Sequence, residues 1–234
     1  MTNQFVPRVR GLTTPRVLRP IRDGWVINQE ERAAYATGQF QPVPMIVGGN
    51  LDEGSMFVNA WPIETAADFE NLVGQNFGGA AREALIVYAA AGDADLLCQC
   101  GNPFGDTQFT YGAWGIARAN STRQPTFRYL FTRRPGDRAQ APLHGEEVCY
   151  VFGNLATRLG ESGVNRKDEA ISESLTDAWV RFAATGNPNG GSLPNWPAYD
   201  AGKDNYLDFG DTIHVRTGIR TAQMAFLDRF FDTR

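Results

Sequence analysis

An unbroken apolar run at residues 43–49 predicts the clearest β-strand of the chain. Because its apolar residues follow one another without alternation, both faces of this strand are expected to be covered, as in a parallel sheet between helices. Residues 126–132 alternate instead, with Phe127, Tyr129 and Phe131 on one side. This alternation predicts a second strand with one strongly aromatic face.

Helical periodicity is strongest near the C-terminal third of the chain. Ile171, Leu175 and Ala178 recur at spacings of three and four, and the pattern stops at Gly186. These features predict a helix over residues 167–185.

Weaker patterns occupy the remaining segments. They predict helices at 63–72, 80–91, 106–120 and 221–231, and a hairpin of strands 206–209 and 214–216. Thr65 is the expected N-cap of the first of these helices, with Asp68 three residues later. Strands that alternate with helices indicate an α/β fold, and no linker divides residues 1–234 into separate domains.

Two short polar motifs follow the two predicted sheet strands. Asn-Leu-Asp-Glu-Gly at residues 50–54 comes after a glycine pair, and His-Gly-Glu-Glu at residues 144–147 comes after a long loop that contains proline. Open α/β sheets place their chemistry at the carboxyl ends of strands. Glu53 and His144 are therefore the candidate catalytic residues, although either one alone is more typical of a solvated loop. The other histidine, His214, fits a surface position in the predicted hairpin.

A carboxylate followed by a histidine forms two parts of a serine-hydrolase triad. The histidine takes the serine proton and returns it to the leaving group, and the carboxylate fixes the imidazole tautomer. The serine should lie upstream in a Gly-x-Ser-x-Gly elbow, but the chain contains no such pentapeptide. Ser162 follows Gly160 but has Val164 in place of the second glycine, and Ser192 is followed by Pro194.

The charge of the chain argues against a nucleic-acid partner. Its 22 Lys and Arg against 26 Asp and Glu give a net charge of −4, and no basic run dominates a segment. The densest basic cluster, residues 123–138, is expected to be a solvated loop and strand edge. No apolar run approaches the roughly 20 residues of a membrane span. Residues 1–5 lack the apolar core of a signal peptide, so a cytoplasmic location is expected if Met1 is the true start.

The cysteines predict neither a disulfide framework nor a metal site. There are three, Cys98, Cys100 and Cys149, and an odd number argues against a closed framework. Cys98 and Cys100 are too close for an easy bridge, and no second pair offers zinc spacing. All three are expected to be free thiols, with Cys149 buried in the apolar run 148–152.

Five segments, in the same order along the chain, resemble the type-B carboxylesterases, the family that includes the cholinesterases. They are Pro-Ile-Arg-Asp-Gly at 20–24, the strand and acid loop at 43–55, the His-Gly-x-Glu motif and its Val-Phe-Gly at 144–153, the helix end at 179–189, and Trp-Pro-x-Tyr at 196–199. The resemblance runs from residue 16 to residue 234, nearly the whole chain.

The resemblance implies a role for each candidate. Glu53 corresponds to the triad acid and His144 to the general base. Glu147 matches the second glutamate of the histidine motif, which lies near the active site, and a structural carboxylate is an equally good interpretation of it. The family's oxyanion loop and serine elbow belong to its N-terminal half and have no counterpart here. Residues 1–234 are therefore expected to form a single partial domain, the C-terminal part of an α/β-hydrolase fold.

For function, the resemblance implies a fragment of a carboxylic ester hydrolase that is inactive alone and needs no metal or organic cofactor. The alternative is a non-catalytic pseudo-esterase module that acts in protein–protein interaction, but the presence of both Glu53 and His144 favours the hydrolase. Expected partners are a carboxylic ester and either the missing N-terminal half or a second copy, because strand 43–47 otherwise leaves an apolar edge exposed. Four aromatic residues are candidates for the lining of a substrate-binding gorge, although aromatic residues at such positions more typically belong to the core. They are Phe57, Trp61, Phe104 and Trp114.

Overall fold

The computed structural model describes residues 21–88 and 96–232. Within these ranges four strands form one sheet, in the order β1 (Met45–Asn50), β2 (Thr126–Phe131), β3 (Asn205–Phe209) and β4 (Ile213–Thr217). Strands β1, β2 and β3 run parallel, and β4 pairs antiparallel with β3. The predicted mostly parallel sheet and the C-terminal hairpin are confirmed.

Helices flank this sheet throughout the described part of the chain. They are α1 (Glu31–Ala36), α2 (Ser55–Val58), α3 (Ala66–Phe77), α4 (Ala81–Val87), α5 (Leu96–Gly105), α6 (Tyr111–Ser121), α7 (Glu147–Val151), α8 (Leu155–Leu159), α9 (Arg166–Thr185) and α10 (Thr221–Asp232). None of these helices combines the length and the apolar character that a membrane crossing requires. The α/β architecture predicted from the pattern is confirmed.

Helix α9 forms where its periodicity predicted it, and both of its ends are capped. The Asn165 side chain accepts the backbone N–H of Lys167 and Asp168, and the Asp168 carboxylate accepts the N–H of Asn165. Gly186 ends the helix with a φ of 74°, in the left-handed region that favours glycine.

The aromatic face of β2 forms one half of the core. Phe127 packs edge-on against Trp196 at a centroid distance of 5.8 Å, and Phe131 contacts Tyr150 at 4.8 Å. Together with Tyr129 these rings join the buried apolar residues of α7 and α9. Offset and edge-on ring contacts add to the free energy gained by apolar burial, so this face anchors the sheet.

Helix α6 covers the opposite face. The side-chain amide of the buried Asn120 donates to the Thr126 hydroxyl of β2 at 2.9 Å and to the backbone oxygen of Val43 at 2.9 Å. Beyond α6, helices α2 to α5 and α10 contribute to a second apolar cluster that includes Trp114. The site described below lies between these two parts of the core.

Strand β1 lies at the edge of the sheet. Among the described residues its hydrogen-bonded neighbour is β2 alone, and residues 45–49 are only partly buried. Ile46 packs against the buried cluster of β2, α7 and α9, and α6 also contacts β1, so the partial burial of the strand reflects its open edge, as the sequence predicted for this strand without a further neighbour. Val43, just before the strand, is exposed, so an apolar edge remains open.

The segment before β2 differs most from the prediction. The pattern predicted a helix that begins at residue 106, but the chain is already helical in α5, passes through a π-helical turn at Asp106–Thr110 and continues as α6. Pro103 lies inside α5, and an internal proline normally argues against a helix. The last residues of the helix predicted at 80–91 lie outside the described ranges.

Two arginines of the basic cluster are buried, which corrects the expectation of a solvated loop and strand edge. Arg133 has no exposed surface and its Nε donates to Asp168 at 2.7 Å. Arg128 is also buried and pairs with Asp204. Asp168 and Asp204 come from distant segments that a local charge pattern does not reveal, although Asp137 of the same cluster also pairs with Arg133. Arg134 in the same cluster is exposed as predicted.

The described cysteines are buried thiols. Cys100 and Cys149 are both free, as the sequence predicted, and the predicted burial of Cys149 is confirmed. Cys100 is buried as well. Burial raises the pKa of the Cys100 thiol to about 12, because the thiolate is poorly solvated there. The side chain of Cys98 is outside the described part of the chain, so its state stays a prediction.

Candidate active site

The two candidate loops meet at the carboxyl ends of β1 and β2. The backbone N–H of Leu51 donates to the oxygen of Phe131 at 3.0 Å, and that of Asp52 donates to the oxygen of Pro142 at 3.1 Å. Asp52 and Leu143 also form a parallel β-bridge. The strand pairing is thus continued past both strand ends, which places the acid loop against the loop that carries the histidine.

Glu53 and His144 meet at this junction. Oε2 of Glu53 hydrogen-bonds to Nδ1 of His144, and Oε1 accepts the backbone N–H of Asn50. The Glu53 side chain is 6% exposed, whereas the His144 side chain is 39% exposed. One ring nitrogen therefore faces a buried carboxylate, and Nε2 is left for another partner.

Burial raises the pKa of the Glu53 carboxyl above its ordinary value of 4.5. Hydrogen bonds from the Asn50 N–H and from His144 oppose this rise, and the charge of Glu147 adds to it. A carboxylate with raised proton affinity is a strong acceptor for an Nδ1–H donor. The pairing therefore favours the tautomer in which Nε2 carries no proton.

The glycine pair before the acid loop makes room for this arrangement. A Cβ atom at Gly49 would lie 2.6 Å from Oε1 of Glu53, and one at Gly48 would lie 2.3 Å from the backbone oxygen of Tyr129. Both distances are too short for real atoms. The two glycines therefore allow a close approach to the carboxylate and to β2, and they do so within the strand, which continues to Asn50.

Helix α5 supports the acid loop from behind. A Cβ atom at Gly54 would lie 1.8 Å from the carbonyl oxygen of Gly101, and one at Gly105 would lie 3.2 Å from the Cβ of Glu53. Gly101 and Gly105 share one helix face because they are four residues apart. A pair of glycines four residues apart is the sequence feature that indicates such a close backbone contact. The sequence pattern predicted neither this contact nor helix α5.

Glu147 is joined to the acid loop by Asn50, the first residue of the acid motif, for which the sequence predicted no role of its own. The side-chain amide of Asn50 donates to Oε2 of Glu147 and lies 3.4 Å from Oε1 of Glu53. Tyr129 is buried nearby, and the charges of Glu147 and Glu53 add to burial in raising the pKa of its phenol. Glu147 thus makes a structural contact while lying beside the Glu53–His144 pair.

Aromatic rings flank the imidazole of His144. The Phe109 centroid lies 4.3 Å and the Phe57 centroid 5.4 Å from that of the imidazole. Both phenylalanines contact Phe104, which meets Trp61 edge-on at 5.6 Å. Three of the four predicted aromatic candidates therefore form a wall beside His144 and also belong to the core, and Phe109, from the π-helical turn, completes it.

Trp114, the fourth aromatic candidate, lies elsewhere. Its ring lies 4.4 Å from the guanidinium of Arg118, and it lines a cavity of about 850 Å³ between α1, α6 and α10 that includes neither Glu53 nor His144. His214 lies on β4, where its Nδ1 is 3.2 Å from the backbone oxygen of Thr212. The surface position predicted for this histidine is confirmed.

The arrangement around His144 suits proton transfer. With Nδ1 held by Glu53, Nε2 can accept a proton from a nucleophile and later return it. Among residues 21–88 and 96–232, no three His, Cys, Asp or Glu side chains are placed to hold a metal ion.

Known proteins similar to this chain are ester hydrolases. The model of the family described as the carboxylesterase family matches residues 8–227. Fumonisin B1 esterase of Sphingopyxis macrogoltabida is 33% identical over 92% of this chain and 41% of its own length. Cocaine esterase of Homo sapiens is 26% identical, over 90% of this chain and 41% of its own length. Carboxylesterase 4A of Bos taurus is 28% identical, over 91% of this chain and 42% of its own length. The chain thus spans about two-fifths of the length of these curated relatives.

Proposed function

This chain belongs to the carboxylesterase family, and on that basis we propose that it supplies the base and the acid of a Ser-Glu-His carboxylic ester hydrolase. His144 is the general base and Glu53 the acid. The nucleophilic serine and the oxyanion hole belong to a polypeptide segment outside these 234 residues. The observation that supports this proposal most is the buried Glu53 carboxylate on Nδ1 of a partly exposed imidazole.

The proposed chemistry has two proton-transfer cycles. When the serine hydroxyl attacks the ester carbonyl, Nε2 of His144 takes the hydroxyl proton, and the Glu53 carboxylate stabilises the imidazolium through Nδ1–H. His144 gives the proton to the leaving alcohol as the acyl-serine forms. Water then attacks the acyl group, His144 takes the water proton, and it returns that proton to the serine as the carboxylic acid leaves.

The rings of Phe57 and Phe109 support the same function. Their contacts with the imidazole limit its rotation and keep water from one side of it. A dry environment strengthens the Glu53–His144 interaction during charge formation. We propose that this wall also borders the bound ester.

The proposed substrates are carboxylic esters as a class. The names of two relatives, fumonisin B1 esterase and cocaine esterase, concern very different esters. Their shared chemistry is hydrolysis of a carboxylic ester bond, and this is the part of their function that the Glu53–His144 pair supports.

The proposed partner is the N-terminal half of such a hydrolase, and its proposed binding site is the open edge of β1. Because Glu53 and His144 follow β1 and β2, a serine at the carboxyl end of a parallel strand added beside β1 would lie near His144. A second copy of this chain would cover the same edge, but it would bring no serine elbow.

A fluorophosphonate probe of serine hydrolases tests the proposal, with the labelled residue identified by mass spectrometry. The chain is assayed alone and after co-expression with an N-terminal carboxylesterase half that contains a Gly-x-Ser-x-Gly elbow. We expect no label on the chain alone and a label on the elbow serine of the complex. His144→Ala should abolish labelling, whereas His214→Ala, the matched control, should leave it unchanged.

Two outcomes would contradict the proposal. A stoichiometric label on a serine of this chain, lost in His144→Ala, would mean that the nucleophile lies within it. A stable complex that takes no label and hydrolyses no ester would favour the non-catalytic interaction module instead.

A further inference from the structure

The turn that presents His144 is tight and uses a glycine. The backbone N–H of Glu146 donates to the oxygen of Leu143 at 3.1 Å, and Gly145 between them has a φ of 78°. Helix α7 begins directly afterwards at Glu147. The place of the imidazole therefore depends on what holds the peptide of Leu143.

The Glu146 carboxylate folds back onto the start of this turn. Its Oε2 accepts the backbone N–H of Leu143 at 2.9 Å. Both of its oxygens accept from the guanidinium of Arg138, with Nη1 3.1 Å from Oε1 and Nη2 bonded to Oε2. The Glu146 side chain is only 5% exposed, and forked charge-assisted bonds of this kind fix geometry as well as adding stability.

Arg138 also ties the loop that precedes the turn. Its Nη2 donates to the backbone oxygen of Ala141 at 3.0 Å, and its Nε donates to that of Gln140 at 3.2 Å. One guanidinium thus holds two points of the loop and the Glu146 carboxylate together. We call this arrangement of Arg138, Glu146 and the Leu143 peptide the clamp.

We propose that Arg138 and Glu146 are positioning residues for His144, an inference that rests on the proposed role of His144 as general base. Leu143, which the clamp holds, also pairs with Asp52 in the acid loop. The clamp therefore fixes the peptide immediately before His144 against the loop that carries Glu53. A shift of that peptide moves Nδ1 away from its carboxylate partner.

The two adjacent glutamates connect the turn to two different loops. Glu147 is bonded to Asn50 in the acid loop, whereas Glu146 is bonded to Arg138 in the loop before the turn. The family resemblance concerns Glu147, and Glu146 occupies the unspecified position of the His-Gly-x-Glu motif. The resemblance therefore assigns no role to Glu146, and the clamp follows from the contacts that this side chain makes here.

NMR of the full chain, labelled at the histidine ring nitrogens, tests the inference without an ester. The two histidines serve as probe and control in one sample, because His144 follows the clamp and His214 lies on β4. The variants are Glu146→Gln and Arg138→Lys, which keeps the charge but loses the fork. Arg134→Lys is the matched control, since Arg134 is exposed in the same loop and is not one of the clamp donors.

We expect both clamp variants to shift the His144 ring resonances and to weaken the Nδ1–H signal, with those of His214 unchanged. Arg134→Lys should change neither histidine. His144 resonances that stay in place in a folded Glu146→Gln would overturn the inference. If Glu146→Gln abolishes the folded-state chemical shifts of both histidines, this variant has unfolded, and Arg138→Lys becomes the test. A change in Arg138→Lys at His144 alone would support the positioning role. No change at either histidine would contradict it.

Kinetics of the complex with the N-terminal half provide a second readout. The clamp variants should lower kcat by about 10- to 100-fold and change KM by less than about twofold, because they disturb proton transfer and not ester binding. An unchanged kcat in an active complex would overturn the inference. If the complex with the unmodified chain is inactive, the proposed function fails. The NMR result still decides whether the clamp fixes the position of the His144 ring.

Discussion

Asp168 and Glu53 are both buried carboxylates, but their surroundings differ. Asp168 receives donors on every side: Nε of Arg133 at 2.7 Å, the Tyr150 hydroxyl at 2.7 Å, and the backbone N–H of Gly136 and Asn165 at 3.0 Å each. Glu53 has the Asn50 amides and His144. The first carboxylate is enclosed, and the second faces a partly exposed ring.

The difference in donors reverses the direction of the pKa shift. Burial raises the pKa of both carboxyls, but in Asp168 the hydrogen bonds from Arg133 and Tyr150 outweigh burial and lower the pKa. In Glu53 burial prevails and the pKa is raised. A buried carboxylate saturated with donors acts as a structural anchor, whereas one with fewer donors keeps the affinity for a proton that catalysis uses.

The largest expected effect concerns the role of Glu53 in the proposed mechanism. In the active complex Glu53→Gln should lower kcat by about 10⁴-fold, because an amide no longer fixes the imidazole tautomer or stabilises the imidazolium. Ester hydrolysis at saturating substrate measures this loss. A loss below about tenfold in a folded complex would remove Glu53 from the proposed triad.

The next effect concerns the stability that Asp168 provides. Asp168→Ala should lower the free energy of unfolding by about 3–5 kcal/mol, because it leaves the buried guanidinium of Arg133 without its inner partner. Urea unfolding measures this change. Asp177→Ala on the same helix is the control: its exposed pair with Arg181, at 3.7 Å, should contribute about 1 kcal/mol or less.

The pH dependence of stability should have opposite signs for the two carboxyls. The contribution of Asp168 is present above its ordinary pKa of 3.8 and is lost as the pH falls through its lower folded value. That of Glu53 is present below its ordinary pKa of 4.5 and is lost as the pH rises through its higher folded value.

Urea unfolding across the acid range measures these signs. The stability difference between wild type and Asp168→Asn should shrink toward acid, and that between wild type and Glu53→Gln should shrink toward neutral pH. Slopes of the same sign would show that the two environments do not differ as described.

The smallest expected effect on stability concerns Gly49, whose substitution should change the geometry of the Glu53–His144 pair more than the free energy of unfolding. In Gly49→Ala the new methyl meets the movable end of the Glu53 side chain, 2.6 Å away. We expect a loss of only about 1 kcal/mol together with a clear shift of the His144 ring resonances. Gly74→Ala in α3, where nothing lies within 4 Å of the added Cβ, should instead add about 0.5–1 kcal/mol. Unshifted His144 resonances in Gly49→Ala would contradict the role given to Gly49.

Elements with a local cause were predicted well. The apolar spacing of α9, the alternation of β2 and the hairpin of β3 and β4 were all visible in the sequence. The Thr65 cap and its Asp68 partner are confirmed as a capping box. These features depend on residues that are near neighbours in the chain, so a short window contains their whole physical basis.

Elements with a distant cause were missed. Helix α5 forms despite Pro103 because it packs its glycines against the acid loop. Arg133 is buried because Asp168 and Asp211 come to it from other segments. In both cases tertiary contacts outweigh local preference, and no local window contains Gly54 together with Gly101 or Arg133 together with Asp168.

The sequence by itself determined the candidates Glu53 and His144, the strands they follow and the family to which the chain belongs. Only the tertiary structure decided that these two side chains, 91 positions apart, share a hydrogen bond, and that Asn50, Phe109 and the clamp surround them. The physical reason is that periodicity and capping act over one or two helical turns, whereas a site forms by packing that brings distant loops to adjacent strand ends.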